Sequence, residues 1–376
     1  MPDITVTAAL DSLAPMDVAG RSARLQGALD GAEVDALLVT NLTNIRYLTG
    51  FTGSAALLLV SPAGLTFVTD GRYGQQAEAQ LAAAGVAATI EVSGTGQKGL
   101  VVGAVEAAGI RSLGLEADAV TWAAQRTYDD HWFPTIDLVP TTGLVTGLRL
   151  HKDDGEIDRI AVACAIADAA LAEVRPRLAE SPTEVEFGLE LDTAMRRLGA
   201  DDVSFETIVA SGPNGAKPHH RPGRRTIVDG DLVVIDFGAL VDGYHSDMTR
   251  TVAVGAPSAT QQRMYDVVAE AQAAGVAAVG DGVAAKAVDD ACREVIDRAG
   301  WLDAFLHGTG HGVGLDIHED PRVGQTSTAT LTTRCVVTVE PGVYLPEHGG
   351  VRIEDTVVVT PDGCRPVTLT HKAPAV

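Results

Sequence analysis

The sequence lacks several features that would place the chain in a special class. Its 376 residues include 4 cysteines, none in a Cys-x-x-Cys pair, which argues against a thiolate zinc site or a disulfide framework. No apolar run approaches the roughly 20 residues needed to cross a bilayer. Lysine and arginine number 28 against 50 acidic residues, and the formal net charge of −22 has the wrong sign for nucleic-acid phosphates or anionic lipid. We therefore expect neither nucleic acid nor a membrane as partner.

The N-terminus also lacks the pattern of a secretory signal. Asp3 stands where a signal peptide carries positive charge, and no long apolar segment follows it. We therefore predict a cytoplasmic protein. Cys164 and Cys335 lie in or beside apolar runs, so the cysteines are expected to pack in the core as small hydrophobic side chains.

The order of predicted elements divides the chain into two domains. In residues 1–142, amphipathic segments alternate with short apolar runs, of which Ala36–Val39 has the pattern of a buried strand. Residues 61–64, Ser-Pro-Ala-Gly, predict a turn between two further strands, so this half is predicted to be an α/β domain with a partly parallel sheet. Residues 143–376 combine long helical patterns with hairpins and are predicted to form an α+β domain.

The second half carries clear signals for the ends of its helices and hairpins. Ser181-Pro182-Thr183-Glu184 has the spacing of a capping box with proline at the first helical position, which predicts a helix start. Further helices are predicted between Ser258 and Ala299. Hairpins are predicted at 232–254, around an Asp-Gly turn, and at 335–359.

Carboxylates occupy unusual positions in both hairpins. Asp236 ends an apolar run, and Asp247 lies at a nearly mirrored position beyond the turn, so the two should be close. Glu340 also ends an apolar run, and Glu354 shares one face of the next predicted strand with Arg352. Buried carboxylates need a compensating cation or protons. The alternatives are that Asp236 merely caps its strand while Asp247 is solvated, and that Arg352 and Glu354 form a surface ion pair.

A glycine-rich segment with two histidines lies between the hairpins. Residues 307–314, His-Gly-Thr-Gly-His-Gly-Val-Gly, predict close backbone approach around His307 and His311. No Gly-Lys-Ser/Thr ending follows, so a phosphate-binding loop is not expected. His311 and the four carboxylates form a hard, oxygen-rich donor set that suits manganese, cobalt, iron or zinc in a carboxylate-bridged pair. Four carboxylate charges also match those of two divalent ions.

These motifs resemble the pita-bread metallopeptidases, in particular the branch of aminopeptidase P and prolidase. The matching stretches are Ile235-Asp236-Phe237-Gly238, His245-Ser246-Asp247-Met248-Thr249-Arg250, Gly310-His311-Gly312-Val313-Gly314-Leu315 with His318-Glu319, Val339-Glu340-Pro341-Gly342-Val343-Tyr344 and Gly350-Val351-Arg352-Ile353-Glu354-Asp355. In the first half, Asn44–Phe51 and Thr69–Tyr73 resemble the creatinase-like domain of that branch. The resemblance implies a creatinase-like α/β domain over 1–142, followed by a pita-bread α+β catalytic domain over 143–376.

The resemblance also implies a role for each matching site residue. Metal ligands carried over by position are Asp236, Asp247, His311, Glu340 and Glu354, which would hold two divalent ions. Manganese is expected first, with cobalt, zinc or iron as alternatives. Catalytic roles are implied for His219, His318, Glu340 and Arg352, and substrate contacts for His307 and Tyr344. The motif match favours His219 over its neighbour His220.

The activity implied by the resemblance is that of a homodimeric Xaa-Pro aminopeptidase. Such an enzyme hydrolyses the bond before a proline at the second position of a peptide by means of a metal-bridging hydroxide. Xaa-Pro dipeptidase (prolidase) is the alternative within this chemistry, while a creatinase-like hydrolase and a binding module on the same fold come from other classes. Tyr47, Arg72 and Tyr73 are expected to line or cap the substrate entrance.

Overall fold

The computed structural model describes residues 6–375, apart from the side chain of Thr7, as two compact units. The small unit comprises residues 17–149, and the large unit comprises residues 6–16 together with 150–375. Helix α1 (Val6–Leu10) belongs to the large unit. The signal-peptide argument used residues 1–4, which lie outside the described part of the chain.

The compact units differ from the division expected at residues 142 and 143. A six-residue helix, Leu144–Arg149, belongs to the small unit because it packs on the helices Val18–Leu29 and Leu42–Thr49. Residues 6–16 belong to the large unit, where α1 packs on the long helix Asp154–Val174. Both contacts join segments that are distant in sequence, and the local pattern carries no sign of them.

The small unit contains a mixed six-stranded sheet with flanking helices. Its strands are β1 (Ala36–Val39), β2 (Ala56–Ser61), β3 (Gly64–Thr69), β4 (Thr89–Val92), β5 (Ser112–Glu116) and β6 (Asp137–Thr141). Its helices are α2 (Val18–Leu29), α3 (Leu42–Thr49), α4 (Gly74–Ala83), α5 (Gln97–Ala107), α6 (Trp122–Thr127) and α7 (Leu144–Arg149). The spatial order is β4-β3-β2-β1-β5-β6, with β3–β4, β1–β5 and β5–β6 parallel. The predicted α/β class and partly parallel sheet are confirmed.

The large unit packs four long helices on its sheets. They are α8 (Asp154–Val174), α9 (Glu184–Arg197), α10 (Ala259–Ala278) and α11 (Ala285–Arg298). Capping boxes fix the starts of α8, α9 and α10. One apolar cluster joins α8 and α9 to the sheet that contains Asp236. A second joins α10 and α11 to the sheet that contains His311.

The start of α9 corrects the predicted capping box. Thr183, not Ser181, is the N-cap: its backbone N–H donates to Glu186 Oε2 at 2.8 Å, and its Oγ1 accepts from the backbone N–H of Glu186 at 3.3 Å. Ser181 has a left-handed backbone, with φ of 56°. Glu184, predicted to close the box, is instead the first helical residue and turns its side chain inward.

The strands of the large unit are short and mostly antiparallel. They are β7 (Asp202–Val203), β8 (Ile208–Ser211), β9 (Leu232–Phe237), β10 (Ala239–Val241), β11 (Tyr244–His245), β12 (Met248–Ala253), β13 (Gly310–Gly312), β14 (Glu319–Val323), β15 (Val336–Val339), β16 (Gly342–Leu345), β17 (Gly349–Arg352), β18 (Asp355–Thr360) and β19 (Gly363–Pro366). They form sheets of order β12-β9-β8, β14-β13-β15-β18-β19, β11-β10-β7 and β16-β17. The predicted α+β class is confirmed.

The two hairpins carry their carboxylates toward the same region. In the first, β9 pairs with β12, and Asp236 lies opposite Thr249. The second is more complex than predicted, because β15 pairs with β18 while β16 and β17 form a separate ribbon between them. The predicted strand through Arg352 and Glu354 therefore ends at Arg352, and a new strand begins after Glu354.

The glycines of the 307–314 segment allow close backbone approach, as predicted. A Cβ on Gly310 would lie 2.0 Å from the Thr338 carbonyl oxygen, and one on Gly312 would lie 2.2 Å from the Asp320 carbonyl oxygen. These contacts let β13 lie between β14 and β15 with His311 at its centre. Short helical turns complete the chain at Asp30–Ala32, Tyr128–Trp132, Arg175–Glu180, Gly212–Ala216 and Leu302–Ala304.

Membrane-spanning helices were not expected from the sequence. Within residues 6–375, the structure contains no helix whose length and apolar character would let it cross a bilayer.

Candidate active site

Side chains from five separate positions in the large unit converge on one cavity. Asp236 comes from β9, Asp247 precedes β12, His311 is in β13, Glu340 follows β15 and Glu354 lies between β17 and β18. Ligand atoms of Asp247, His311 and Glu354 all lie within 4.8 Å of one another. All five side chains line a cavity of about 630 Å³.

Burial and repulsion between neighbouring carboxylates raise the pKa of carboxyl groups in this cluster. For Asp247 and Glu354, burial is the largest cause, repulsion from neighbouring carboxylates adds to it, and both pKa values lie well above the ordinary range. Burial raises the pKa of Glu340 to about 8, against the opposing charge of Arg352. Burial also lowers the pKa of His311 to about 4, so its imidazole is neutral at pH 7. Without a cation, the cluster cannot hold all its charges.

Unpaired oxygen atoms show where a cation would be accepted. Among the residues that the structure describes, Asp236 Oδ1 and Glu354 Oε1 are buried without a hydrogen-bond donor. The second oxygen of each carboxylate does have a donor. Asp236 Oδ2 accepts from Arg352 Nη2 at 2.5 Å, and Glu354 Oε2 accepts from Thr249 Oγ1 at 2.7 Å. Each carboxylate is thus held by one oxygen and presents the other. A buried, unpaired carboxylate oxygen is costly unless a cation or proton binds it.

The His311 ring is oriented to act as a ligand. Its Nδ1 lies 3.0 Å from the Gly312 carbonyl oxygen, which assigns the proton to Nδ1 and the lone pair to Nε2. That Nε2 lies 3.5 Å from both Asp247 Oδ2 and Glu340 Oε1. An unprotonated nitrogen that faces two carboxylates has no favourable partner except a cation or a shared proton. The donor set therefore fits divalent metal ions.

Arg352 organises the polar side of the cavity. Its Nη1 donates to Tyr344 Oη at 2.8 Å, and the Tyr344 hydroxyl lies 2.8 Å from His307 Nε2. His307 Nδ1 lies 2.8 Å from the Gly308 carbonyl oxygen, so the chain of donors runs from the guanidinium through the phenol to the imidazole. Burial raises the pKa of Tyr344 to about 12 and lowers that of His307 to about 4, so both are neutral at pH 7. This is not the exposed ion pair considered from the sequence, because Arg352 and Glu354 are both buried.

The two remaining predicted histidines line the same cavity. His318 packs edge-on to the His311 ring, with centroids 4.4 Å apart, and burial lowers its pKa. His219 lies on the loop after β8 and lines the cavity, whereas His220 points away and its Nε2 lies 2.9 Å from Glu184 Oε2. The geometry thus separates two histidines that are adjacent in sequence.

The structure adds residues that the sequence analysis missed. Thr249 joins two site residues, because its Oγ1 donates to Glu354 and accepts from Arg352 Nε at 3.1 Å. Arg322 lines the cavity, and among residues 6–375 it has no ion-pair or hydrogen-bond partner. Thr249 belongs to a matching motif and could have been singled out there. Arg322 stands in an ordinary polar strand, and only its place in the cavity distinguishes it.

Tyr47 does not have the role expected for it. Its ring is 2% exposed, the Arg21 guanidinium stacks 4.2 Å from the ring centroid, and its hydroxyl donates to the Leu148 carbonyl oxygen at 3.1 Å. These contacts make Tyr47 part of the core of the small unit, so its side chain is not available to a substrate. Arg72 and Tyr73 are more accessible and pack on each other.

Comparisons with known proteins follow the same division of the chain. Residues 158–361 match metallopeptidase family M24, and residues 21–151 match the creatinase/prolidase N-terminal domain. The first match covers more than half of the chain. The chain belongs to metallopeptidase family M24. Family membership confirms the expected creatinase-like N-terminal domain and pita-bread catalytic domain, and it identifies the chain as an enzyme.

Relatives resemble the chain over nearly its whole length. "Uncharacterized peptidase YqhT" from Bacillus subtilis is 42% identical over 338 residues, or 90% of this chain and 94% of the relative. The solved Xaa-Pro dipeptidase from Bacillus anthracis has a TM-score of 0.91 and 38% identity, and the match covers 96% of this chain and 100% of that one. The X-Pro aminopeptidase from Thermotoga maritima has a TM-score of 0.86 and 33% identity, with coverage of 95% and 100%.

Proposed function

We propose that this metallopeptidase binds two divalent metal ions at the five converging side chains and hydrolyses the peptide bond before a proline. The unpaired, buried oxygens of Asp236 and Glu354, together with the Nε2 of His311, carry the proposal of the metal site. Relatives named for Xaa-Pro peptidase activity support the choice of substrate. Manganese is the first candidate, and cobalt, zinc and iron suit the same oxygen-rich donor set.

Each residue around the cavity has a place in this chemistry. A bound metal pair supplies a water of lowered pKa and polarises the scissile carbonyl. Glu340 Oε1 lies 3.5 Å from His311 Nε2, and its carboxylate would accept a proton from the attacking water and return it to the leaving nitrogen. His219 and His318 line the same cavity, where an imidazole can donate to the oxyanion or to the leaving proline nitrogen.

Arg352, Tyr344 and His307 hold the substrate side of the site. The guanidinium fixes Asp236 and the Tyr344 hydroxyl at the same time, so it couples a proposed metal ligand to the residue proposed to contact substrate. His307 presents one neutral edge of its ring to the cavity. The hydrogen bonds hold the neutral Tyr344 and His307 side chains in fixed orientations on this side of the site.

The length of the substrate separates two versions of this function. The first proposal is an Xaa-Pro aminopeptidase, as the stretches Asn44–Phe51 and Thr69–Tyr73 indicate. Purified enzyme loaded with manganese or cobalt should then cleave an Xaa-Pro-Xaa tripeptide with a kcat/KM at least equal to that for an Xaa-Pro dipeptide. Dipeptide cleavage without tripeptide cleavage would assign the chain to the dipeptidases instead. If the metal-loaded enzyme cleaves neither, the peptidase proposal fails in favour of a binding module.

The position of Arg322 in the cavity favours the second activity, that of an Xaa-Pro dipeptidase. Its guanidinium lines the cavity and has no hydrogen-bond or ion-pair partner among residues 6–375, so it is available to a terminal carboxylate of the substrate. If it has this role, Arg322→Ala should lower kcat/KM for the dipeptide by roughly 10- to 100-fold, as for a hydrogen bond to a charged group. The tripeptide, whose carboxylate lies one residue further on, should be much less affected. Arg298→Ala, an exposed arginine on α11, is the control.

Removal of the metals should give the protein a distinctive dependence of stability on pH. In the metal-free state the pKa of Glu340 rises to about 8 from an ordinary 4.5, so between these values the folded chain binds a proton that the unfolded chain has lost. The free energy of unfolding must then fall as pH rises. His311, with a pKa lowered to about 4, acts in the opposite direction only below its ordinary 6.5. We therefore expect the melting temperature of chelated protein to fall between pH 6.5 and 8.

This prediction has a matched control. Glu340→Gln should reduce the fall of the melting temperature with pH in chelated protein, whereas Gln at the exposed Glu347 should leave it unchanged. A melting temperature that is constant or rising from pH 6.5 to 8 in chelated wild-type protein would contradict the assigned cluster. The homodimer and the cytoplasmic location stay predictions, and light scattering of the purified protein tests the first.

A further inference from the structure

Glu184 is a fully buried carboxylate that does not line the catalytic cavity. It is the first residue of α9 and is 0% exposed. A carboxylate so far from water is costly unless several donors satisfy it. The donors that satisfy Glu184 all come from one loop, which carries His219.

Both oxygens of Glu184 accept hydrogen bonds from this loop. Oε1 accepts from the backbone N–H of Ser211 at 2.8 Å, from Ser211 Oγ at 2.7 Å and from Asn214 Nδ2 at 3.0 Å. Oε2 lies 2.9 Å from His220 Nε2 and accepts from the backbone N–H of Gly223 at 3.0 Å. Two of these residues precede His219 and two follow it, so one carboxylate joins both arms of the loop.

The carboxylate is the form that these contacts require. Burial by itself raises the pKa of Glu184, but the hydrogen bonds from Asn214, Ser211 and His220 outweigh it, and the pKa lies below its ordinary value. Protonation would convert one acceptor into a donor that faces other donors. The network therefore needs an ionised side chain with two accepting oxygens.

His219 depends on this anchoring because little else restrains it. Its side chain is exposed toward the cavity, and within residues 6–375 no hydrogen bond holds its ring. Among the described residues, the preceding residue takes part in one hydrogen bond, in which the Pro218 carbonyl oxygen accepts from Arg352 Nη1 at 3.3 Å. The direction of the His219 imidazole is thus set by the backbone of the loop, and Glu184 fixes that backbone.

We propose that Glu184 is a positioning residue for the reaction. It holds loop 211–223 on both sides of His219, so that His219 faces the proposed metal-binding side chains. The inference rests on the proposed role of His219 in turnover. It also gives His220 a separate task, because His220 anchors the loop through Glu184 while His219 works in the cavity.

The test is a double-mutant cycle between Glu184→Gln and His219→Ala in metal-loaded enzyme. Glutamine keeps the size of the side chain but turns an –NH₂ group toward donors in either orientation. Glu184→Gln should lower kcat by roughly 10- to 100-fold with little change in KM or metal content, since a displacement of about 1 Å can cost 10²-fold. In the His219→Ala background the same substitution should have little further effect, because the residue that it positions is gone.

Controls separate positioning from general destabilisation. Glu186→Ala removes the neighbouring carboxylate of the α9 capping box, whose side-chain hydrogen bonds within residues 6–375 all come from Thr183, and should leave kcat unchanged. Hydrogen exchange of residues 211–223 should accelerate in Glu184→Gln and not in Glu186→Ala. If Glu184→Gln does not fold, Asn214→Ala removes one donor arm and takes its place in the cycle.

The outcomes distinguish this inference from the function on which it rests. If His219→Ala keeps the wild-type kcat, the proposed role of His219 is wrong and the inference falls with it. If His219→Ala loses turnover but Glu184→Gln lowers kcat by the same factor in both backgrounds, Glu184 acts independently of His219 and only the positioning role is overturned. Unchanged exchange of residues 211–223 in Glu184→Gln would overturn it as well.

Discussion

Asp236→Ala and Glu354→Ala should each remove bound metal and peptidase activity together. Each carboxylate is held through one oxygen by Arg352 or Thr249 and presents the other without a partner, so removal of either opens the donor set. The loss of kcat should exceed the roughly 10²- to 10³-fold that follows from losing a single oxyanion donor. Metal content by mass spectrometry and turnover of an Xaa-Pro peptide measure the two effects in the same samples.

A loss of fold must be separated from a loss of metal in this experiment. Asp168→Asn removes a carboxylate of the large unit that holds the backbone of Leu369 and Thr370, outside the cavity, and should keep both metal and activity. Glu354→Gln should raise the melting temperature of chelated protein, because it removes one of the mutually repelling buried carboxyls. Full activity with normal metal content in Asp236→Ala or Glu354→Ala would refute the proposed site.

His219→Ala should keep the metals and lose turnover. The imidazole lines the cavity but lies outside the group of converging ligands, so its removal should appear mainly in kcat. The expected loss is roughly 10²- to 10⁴-fold, as for a general acid or base. Steady-state kinetics at saturating metal, with metal content measured alongside, distinguish this result from the loss of a ligand.

His220→Ala provides the comparison with a neighbouring imidazole. Because His220 contacts Glu184 rather than the cavity, its loss should loosen the loop and cost less in kcat than the loss of His219. If His220→Ala shows the larger loss and His219→Ala shows none, the roles of the two histidines are reversed. A loss of metal in His219→Ala would place that residue among the ligands instead.

The fold followed from the sequence where the signal was local. The hairpin β9–β12 formed around its predicted Asp-Gly turn, and α10 and α11 lie between Ser258 and Ala299. The errors arose where two local patterns competed. Ser181 and Thr183 each stand three residues before a glutamate, and only the left-handed backbone of Ser181 decided between them. The β16–β17 ribbon was missed because each of its strands is only 4 residues long.

The candidate site was largely predictable because its residues differ in polarity or size from the sequence around them. Asp236 and Glu340 end apolar strands, and four glycines flank His307 and His311, so each stands out without knowledge of the fold. Tyr47 shows the limit of this reasoning. An aromatic residue in a matching motif can pack in the core as readily as it can contact a substrate. Tyr47 is buried under Arg21 and therefore belongs to the core.

Residue types and their spacing predicted the proposed donor set, the division into two domains and the family resemblance. The folded chain sets which atoms meet. It left one oxygen of Asp236 and one of Glu354 without a donor, turned His219 and His220 in different directions, and used Glu184 to hold their loop. Residue type limits what a side chain can bind, whereas its partners come from distant segments, 36 residues away from Glu184 to His220 and 134 residues away from Pro218 to Arg352.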